Sequence, residues 1–258
     1  MRQPSLHGLV EGVKLMNNAI KKIFIDTYET EMEKLGFSRK GIVFHRLVND
    51  EITQLLSYKT YAVGCDYTIQ FSFLPLCNGH KIDRWAGFDC QFVLERFIRS
   101  ELNLTNIQKE ESRYLQLFAE SLDLCKEHIF PLFNRVTNYQ SYWEFIKDIY
   151  KVDEEINDRL YCENIYIPLN PYFYLLLKLG RYEEALLAGE ARILLWNNSY
   201  PSKEMEKHPR YLERIKIRDD LMKTMDLLLK KDYEAINAIL AEKENESYQS
   251  YVKQFKKT

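Results

Sequence analysis

Apolar residues recur at three-, four- and eight-residue steps through Val13, Met16, Ile20, Phe24, Met32 and Leu35. That rhythm predicts one amphipathic helix from about Leu9 to Leu35. Lys14, Lys21, Lys22, Glu29, Glu31 and Glu33 fall mostly off the stripe. Gly36 follows where a left-handed residue commonly ends a helix. The period then drops to two. Gly41 to Val48 reads as a strand, Asn49-Asp50 as a tight turn and Glu51 to Tyr58 as the partner strand. Tyr67, Ile69, Phe71 and Phe73 alternate with Thr68, Gln70 and Ser72. Such alternation is expected to bury one face of a strand and wet the other. Asn78-Gly79 is a two-residue hairpin signal, so His80 to Trp85 is expected to return as a further strand. Residues 88–100, with Phe92, Val93, Leu94, Phe97 and Ile98, fit a helix and a strand equally.

Beyond residue 108 the pattern stays helical. Tyr114, Leu117, Phe118, Leu122, Cys125 and Ile129 form a stripe, and Pro131 is expected to kink or restart it. Thr137 stands where a helix through Tyr150 needs a cap. Farther on, Leu175-Leu176-Leu177-Lys178-Leu179-Gly180-Arg181-Tyr182 resembles Leu227-Leu228-Leu229-Lys230-Lys231-Asp232-Tyr233 if one residue is skipped, at a spacing near 52. The first copy looks like the turn of a tetratricopeptide-type helical hairpin; two unrelated hairpins would give the same pattern. Pro201 and Pro209 bracket a loop.

These elements define an α+β fold. An antiparallel sheet of three or four strands packed by helices is expected over residues 1–150, and an all-helical extension over 151–258.

Composition adds bounds. Of 258 residues, 46% are hydrophobic and 29% charged, which suits a globular chain. Eighteen Tyr and 14 Phe supply more aromatic surface than a small core needs; helix packing or a partner-facing groove would use it. Residues 1–100 hold 13 basic and 11 acidic residues, and the remainder 23 and 27. Neither half has the basic excess of a general nucleic-acid binder. Five irregularly spaced cysteines point to reduced thiols and a cytoplasmic setting. Met1 to Val13 holds no sustained apolar run, so no secretory signal is expected, and no stretch matches a membrane span.

Candidate chemistry is sparse. Cys65, Cys77, His80 and Cys90 contain one close pair, where zinc sites normally offer two, so no metal or cofactor is expected and ordinary thiols are the default. No Gly-x-Ser-x-Gly elbow, phosphate-binding glycine loop or His-Glu-x-x-His helix is present. Asp83 and Asp89 read as solvated turn residues. The strongest candidate binding residues are Arg39, Lys40, His45 and Arg46, with Lys21 and Lys22 as possible neighbours. Arg39 and Lys40 are expected in the loop before the strand. Arg46 shares the parity of Ile42 and Phe44, and His45 lies on the opposite face. The group would suit an acidic surface, a phosphate or an RNA backbone, while a solvated sheet edge would hold the same residues.

The pattern Gly-Phe-x-Arg-Lys-Gly-x-x-Phe-x-Arg, spanning Gly36 to Arg46, resembles the bacterial domain of unknown function 4304 family. Ile129 to Val136 is similar to the segment where that family ends its last helix. The likeness covers roughly residues 9–150. It implies an antiparallel sheet packed by helices and a bacterial cytoplasm, and it carries over no catalytic residue.

With no catalytic signature, the expected function is a non-catalytic module that binds another protein. Its sharpest form is an immunity-like inhibitor of a toxin. The alternatives are an enzyme of unrecognised type, drawing on His45, Cys77, His80 and Asp83, and nucleic-acid contact through the basic cluster.

Overall fold

The computed structural model describes residues 6–60, 67–79, 91–94, 111–154, 172–198 and 209–256. Helix α1 (Leu6–Lys34) opens the chain. Among the described residues five strands follow: β1 (Ser38–Lys40), β2 (Val43–Val48), β3 (Ile52–Thr60), β4 (Tyr67–Pro75) and β5 (Gln91–Val93). They lie in one sheet in sequence order, with β1–β2 and β4–β5 antiparallel. The other described α-helices are α2 (Glu111–Leu124), α3 (Phe130–Arg135), α4 (Tyr139–Glu154), α5 (Phe173–Lys178), α6 (Tyr182–Asn198), α7 (Pro209–Leu229) and α8 (Tyr233–Tyr251). The α+β class expected from the sequence is the observed one. No described helix is long and apolar enough to cross a membrane.

The chain packs as two compact units. The first comprises residues 1–46, 54–72 and 91–135, and the second 47–53, 73–90 and 136–258. In the first, α1 buries Ile20, Ile23, Phe24, Tyr28 and Met32. Phe24 is the hub: its ring centroid lies 4.8 Å from Tyr58, 5.4 Å from Phe118 and 5.8 Å from Phe44. Tilted and edge-on rings at these spacings add about 0.5–1.5 kcal/mol per pair beyond the area they bury. Tyr28, which the expected stripe omits, is fully buried, and its hydroxyl meets Ser121 Oγ at 2.8 Å.

The α1 terminus behaves as its glycine implies. Gly36 has φ +79°, and Phe37 N–H reaches back to Met32 O at 3.0 Å. The next segment differs from expectation. Arg39 and Lys40 are not in a loop: they form β1, with Arg39 opposite Phe44 and Lys40 opposite Val43. A two-residue turn led by Gly41 at φ +64° makes that hairpin, and the sequence pattern has no second apolar strand to announce it. Asn49 and Asp50 both take positive φ, 52° and 55°, and close the expected β2–β3 turn.

The polar positions of β4 are not wet. Thr68, Gln70 and Ser72 are buried along with Ile69, Phe71 and Phe73. Alternation gave the strand correctly, but both of its faces are covered. Asn78-Gly79 forms no two-residue hairpin either; Leu76–Asn78 is a 3-10 turn and Gly79, at φ +70°, ends it. His80 to Trp85 lie outside the described residues. Of the ambiguous stretch, Gln91–Val93 is strand, pairing with Gln70–Ser72.

One π-helical turn (Cys125–Ile129) precedes α3, whose second residue is Pro131. Proline lacks the N–H for the next helical hydrogen bond, and the wider turn absorbs the missing donor. Helix α4 is capped by Asn138 rather than Thr137: Asn138 Oδ1 accepts Ser141 N–H at 2.8 Å, and Ser141 Oγ accepts the N–H groups of Asn138 and Thr137.

In the second unit, α5–α6 and α7–α8 form two helical hairpins with the same turn. Arg181 N–H bonds to Leu176 O and Gly180 N–H to Leu177 O; Asp232 N–H bonds to Leu227 O and Lys231 N–H to Leu228 O. Gly180 (φ +69°) and Lys231 (φ +58°) therefore occupy one left-handed position. Matching the turns aligns the two copies 51 residues apart with no residue skipped, correcting the spacing read from the leucines. In this register Ala185 matches Ile236, both buried, and Tyr182 matches Tyr233, whose rings stack at 4.6 Å.

Candidate functional site

The four residues singled out from sequence do not make one surface. Arg39 is on exposed β1, where Nε donates to Glu29 Oε1 at 2.7 Å and Nη1 to Gly41 O at 3.0 Å. Lys40 is its exposed neighbour. His45 is only 4% exposed. Burial, aided by the Lys40 charge, pushes its imidazole down to about 4, so it is neutral at physiological pH.

Arg46 turns inward. Its guanidinium donates to Leu35 O, to Phe133 O at 2.7 Å and to Gln54 Oε1 at 2.6 Å, and it stacks 4.7 Å above the Phe37 ring. Leu35 O and Phe133 O belong to the C-terminal ends of α1 and α3, where unsatisfied carbonyls favour a cation. Gln54 Nε2 donates to the same Phe133 carbonyl at 2.9 Å. Arg46 thus ties two helix ends to the sheet. Lys21 and Lys22 are exposed on α1.

Of the thiol–histidine candidates, Cys65, His80, Cys90, Asp83 and Asp89 lie outside the described residues. Cys77 is completely buried in the 3-10 turn, and burial with the Glu244 charge pushes its thiol well up. Among the described residues no group of three His, Cys, Asp or Glu side chains is placed to hold a metal ion.

A different set of residues lines an open cleft of about 470 Å³ in the second unit. Asp50 and Glu51 come from the β2–β3 turn, Leu76 from the 3-10 turn and Tyr139 from the first residue of α4. Lys178 ends α5, and Glu244, Asn245 and Tyr248 lie one turn apart on α8. The Glu51 backbone is fixed on both sides: its N–H donates to Val48 O, and its O accepts Leu76 N–H at 2.8 Å. Glu51 Oε2 accepts the Tyr139 N–H at 2.6 Å, filling a donor that α4 leaves open. Glu244 Oε1 accepts the Tyr139 hydroxyl at 2.7 Å and the Lys178 ammonium at 2.7 Å. The ammonium also sits 5.8 Å from the Tyr139 ring centre.

Burial, the neighbouring Cys77 and the bond to Glu244 all hold the Tyr139 phenol protonated far above neutral pH. With Tyr139 and Cys77 both protonated, neither is a nucleophile or base under ordinary conditions. The arrangement is a hydrogen-bonded clamp on two carboxylates. Sequence reading missed it because its parts are spread from residue 50 to residue 248, with no local spacing to mark them.

No family model matches the chain, and no curated protein or solved structure proves similar to it.

Proposed function

We propose that this chain is a non-catalytic protein-binding module of the bacterial cytoplasm, and in its sharpest form an inhibitor that neutralises a toxin by binding it. The observation that carries this reading is the outward side of α6. Leu187 is 65% exposed and Leu194 61%, and exposed Ala191 lies between them at helical spacing. A surface helix ordinarily places polar residues there. The other side of α6 is already used: Ala185 is buried, and a Cβ at Gly189 would fall 2.7 Å from Met225 Sδ. The two leucines are thus surplus to the hairpin's own packing. Apolar helix faces on helical hairpins suit recognition of a protein surface. The resemblance of Gly36–Arg46 to the domain of unknown function 4304 family supports the bacterial setting.

The test is recovery of the tagged full-length chain from its native host. Wild type should carry a stoichiometric protein partner. The double variant Leu187→Glu/Leu194→Glu should lose it while unfolding within about 0.5 kcal/mol of wild type, as exposed substitutions do. Wild type recovered alone, or a partner held equally by the variant, contradicts the reading.

A further inference from the structure

We propose that the cleft between the β2–β3 turn and α8 binds a guanidinium group. The cleft combines three features that a planar organic cation uses together. The first is room, about 470 Å³ and open to solvent. The second is aromatic surface, because Tyr139 and Tyr248 both line it, and each ring already has a cation near it, Lys178 Nζ at 5.8 Å from Tyr139 and Lys256 Nζ at 5.7 Å from Tyr248. A guanidinium stacks on such faces, whereas an ammonium is more strongly hydrated.

The third is a pair of carboxylates already held in place. Tyr139 N–H grips Glu51 through Oε2, and Tyr139 OH and Lys178 grip Glu244 through Oε1. Glu51 Oε1 and Glu244 Oε2 have no hydrogen-bond donor among the described residues. Each side chain is therefore oriented by one oxygen and still offers the other. Asp50 adds a third acid, so the described lining carries Asp50, Glu51 and Glu244 together with Lys178. Lys178 stays on Glu244 when the ligand binds. The incoming guanidinium takes the remaining acceptors, with its plane against a tyrosine ring.

The guanidinium can belong to a free arginine-like small molecule or to an arginine side chain on a protein. Among the described residues no side chain of α6 lines the cleft, so this inference stands apart from the protein-binding reading.

Isothermal titration of the full-length chain at low salt tests it. The probes are N-acetyl-arginine amide, the same compound with citrulline or lysine in place of arginine, and an arginine-centred pentapeptide. The arginine compound should bind saturably and the neutral citrulline compound should not. The lysine compound should bind more weakly. Glu51→Gln, which keeps an acceptor for Tyr139 N–H, should weaken arginine binding about tenfold, as expected for loss of a charge-assisted hydrogen bond. Raising salt should weaken it too. A pentapeptide that binds more tightly than the amide identifies a protein side chain as the source, and equal binding identifies a free small molecule. Absence of saturable binding by the arginine probes, equal binding of citrulline, or a Glu51→Gln variant that binds like wild type with an unchanged unfolding curve would overturn the proposal. A companion Asp50→Asn variant, which touches no bond that holds α4, should also weaken arginine binding, and arginine binding unchanged in both variants would overturn the proposal.

Discussion

Strands β3 and β4 bury Thr53, Gln54, Thr68, Gln70 and Ser72, whereas α6 and α7 leave Leu187, Leu194, Leu212 and Met222 in water. Both regions depart from the simple rule of apolar inside and polar outside, in opposite senses. In the sheet, a buried polar group is tolerable when it finds a partner, as Gln54 does at the Phe133 carbonyl, and costs stability when it does not, as at Thr53 Oγ1. In the hairpins, each helix has satisfied its backbone internally, so an unmatched apolar side chain costs only its contact with water. Stability in the sheet therefore depends on specific polar contacts such as that of Gln54 as well as on its buried apolar residues. Stability in the hairpins rests on a seam of small and apolar residues such as Ala185, Leu228, Ile236 and Leu240.

The largest expected effect breaks the sheet side of this contrast. Arg46→Ala leaves Leu35 O and Phe133 O at two helix ends, and Gln54 Oε1 between them, without their charged donor. Urea unfolding should show a loss of roughly 3 kcal/mol or more. Arg46→Lys should recover only part of it, because an ammonium cannot span the same fork of acceptors. A loss below about 1 kcal/mol would mean that the polar contacts are incidental to the sheet.

A second effect follows from buried His45. Its folded imidazole titrates at about 4, against about 6.5 in the unfolded chain. As pH falls, the unfolded chain takes up the proton first. The stability tied to neutral His45 is thus full above about 6.5 and is lost as pH drops toward 4, at up to about 1.4 kcal/mol per pH unit. Replacing it by glutamine, His45→Gln, should flatten the urea midpoint over that window relative to wild type. Parallel profiles would show that the ring is hydrated in the native state.

The smallest effect sharpens the hairpin side. Gly180 and Lys231 hold the same left-handed turn position, yet only one is glycine. Gly180→Ala should destabilise by about 1 kcal/mol and Lys231→Gly should stabilise by about 0.5–1 kcal/mol. Thermal unfolding of the two variants, shifted in opposite directions, would establish the structural repeat energetically. Shifts of the same sign would show that the turns differ in strain despite matching hydrogen bonds.

Much of the fold was readable from residue order. The α1 stripe, Gly36, the Asn49-Asp50 turn and the β4 alternation are local signals, each decided by neighbours within a few positions. Other features depended on distant partners. Strand β1 is written as Ser38-Arg39-Lys40, which carries no apolar period; pairing with β2 makes it a strand. The helical repeat was visible but out of register, because leucine runs align ambiguously while the left-handed turn aligns only one way. The candidate basic cluster was read from adjacency, and adjacency on a strand separates side chains to opposite faces: Arg46 went to the helix ends, and His45 to the other side.

The cleft lay beyond sequence reading altogether. Glu51, Tyr139, Lys178 and Glu244 are individually ordinary, and only the folded chain brings their charges within hydrogen-bond reach. By itself the sequence determined the elements, because helix and strand periods and turn chemistry act over a few residues. The tertiary structure alone decided which faces are covered, what Arg46 and His45 do, and where carboxylates and aromatic rings meet. Burial and electrostatic contact depend on distances in space, and residues nearly two hundred positions apart carry no local mark of them.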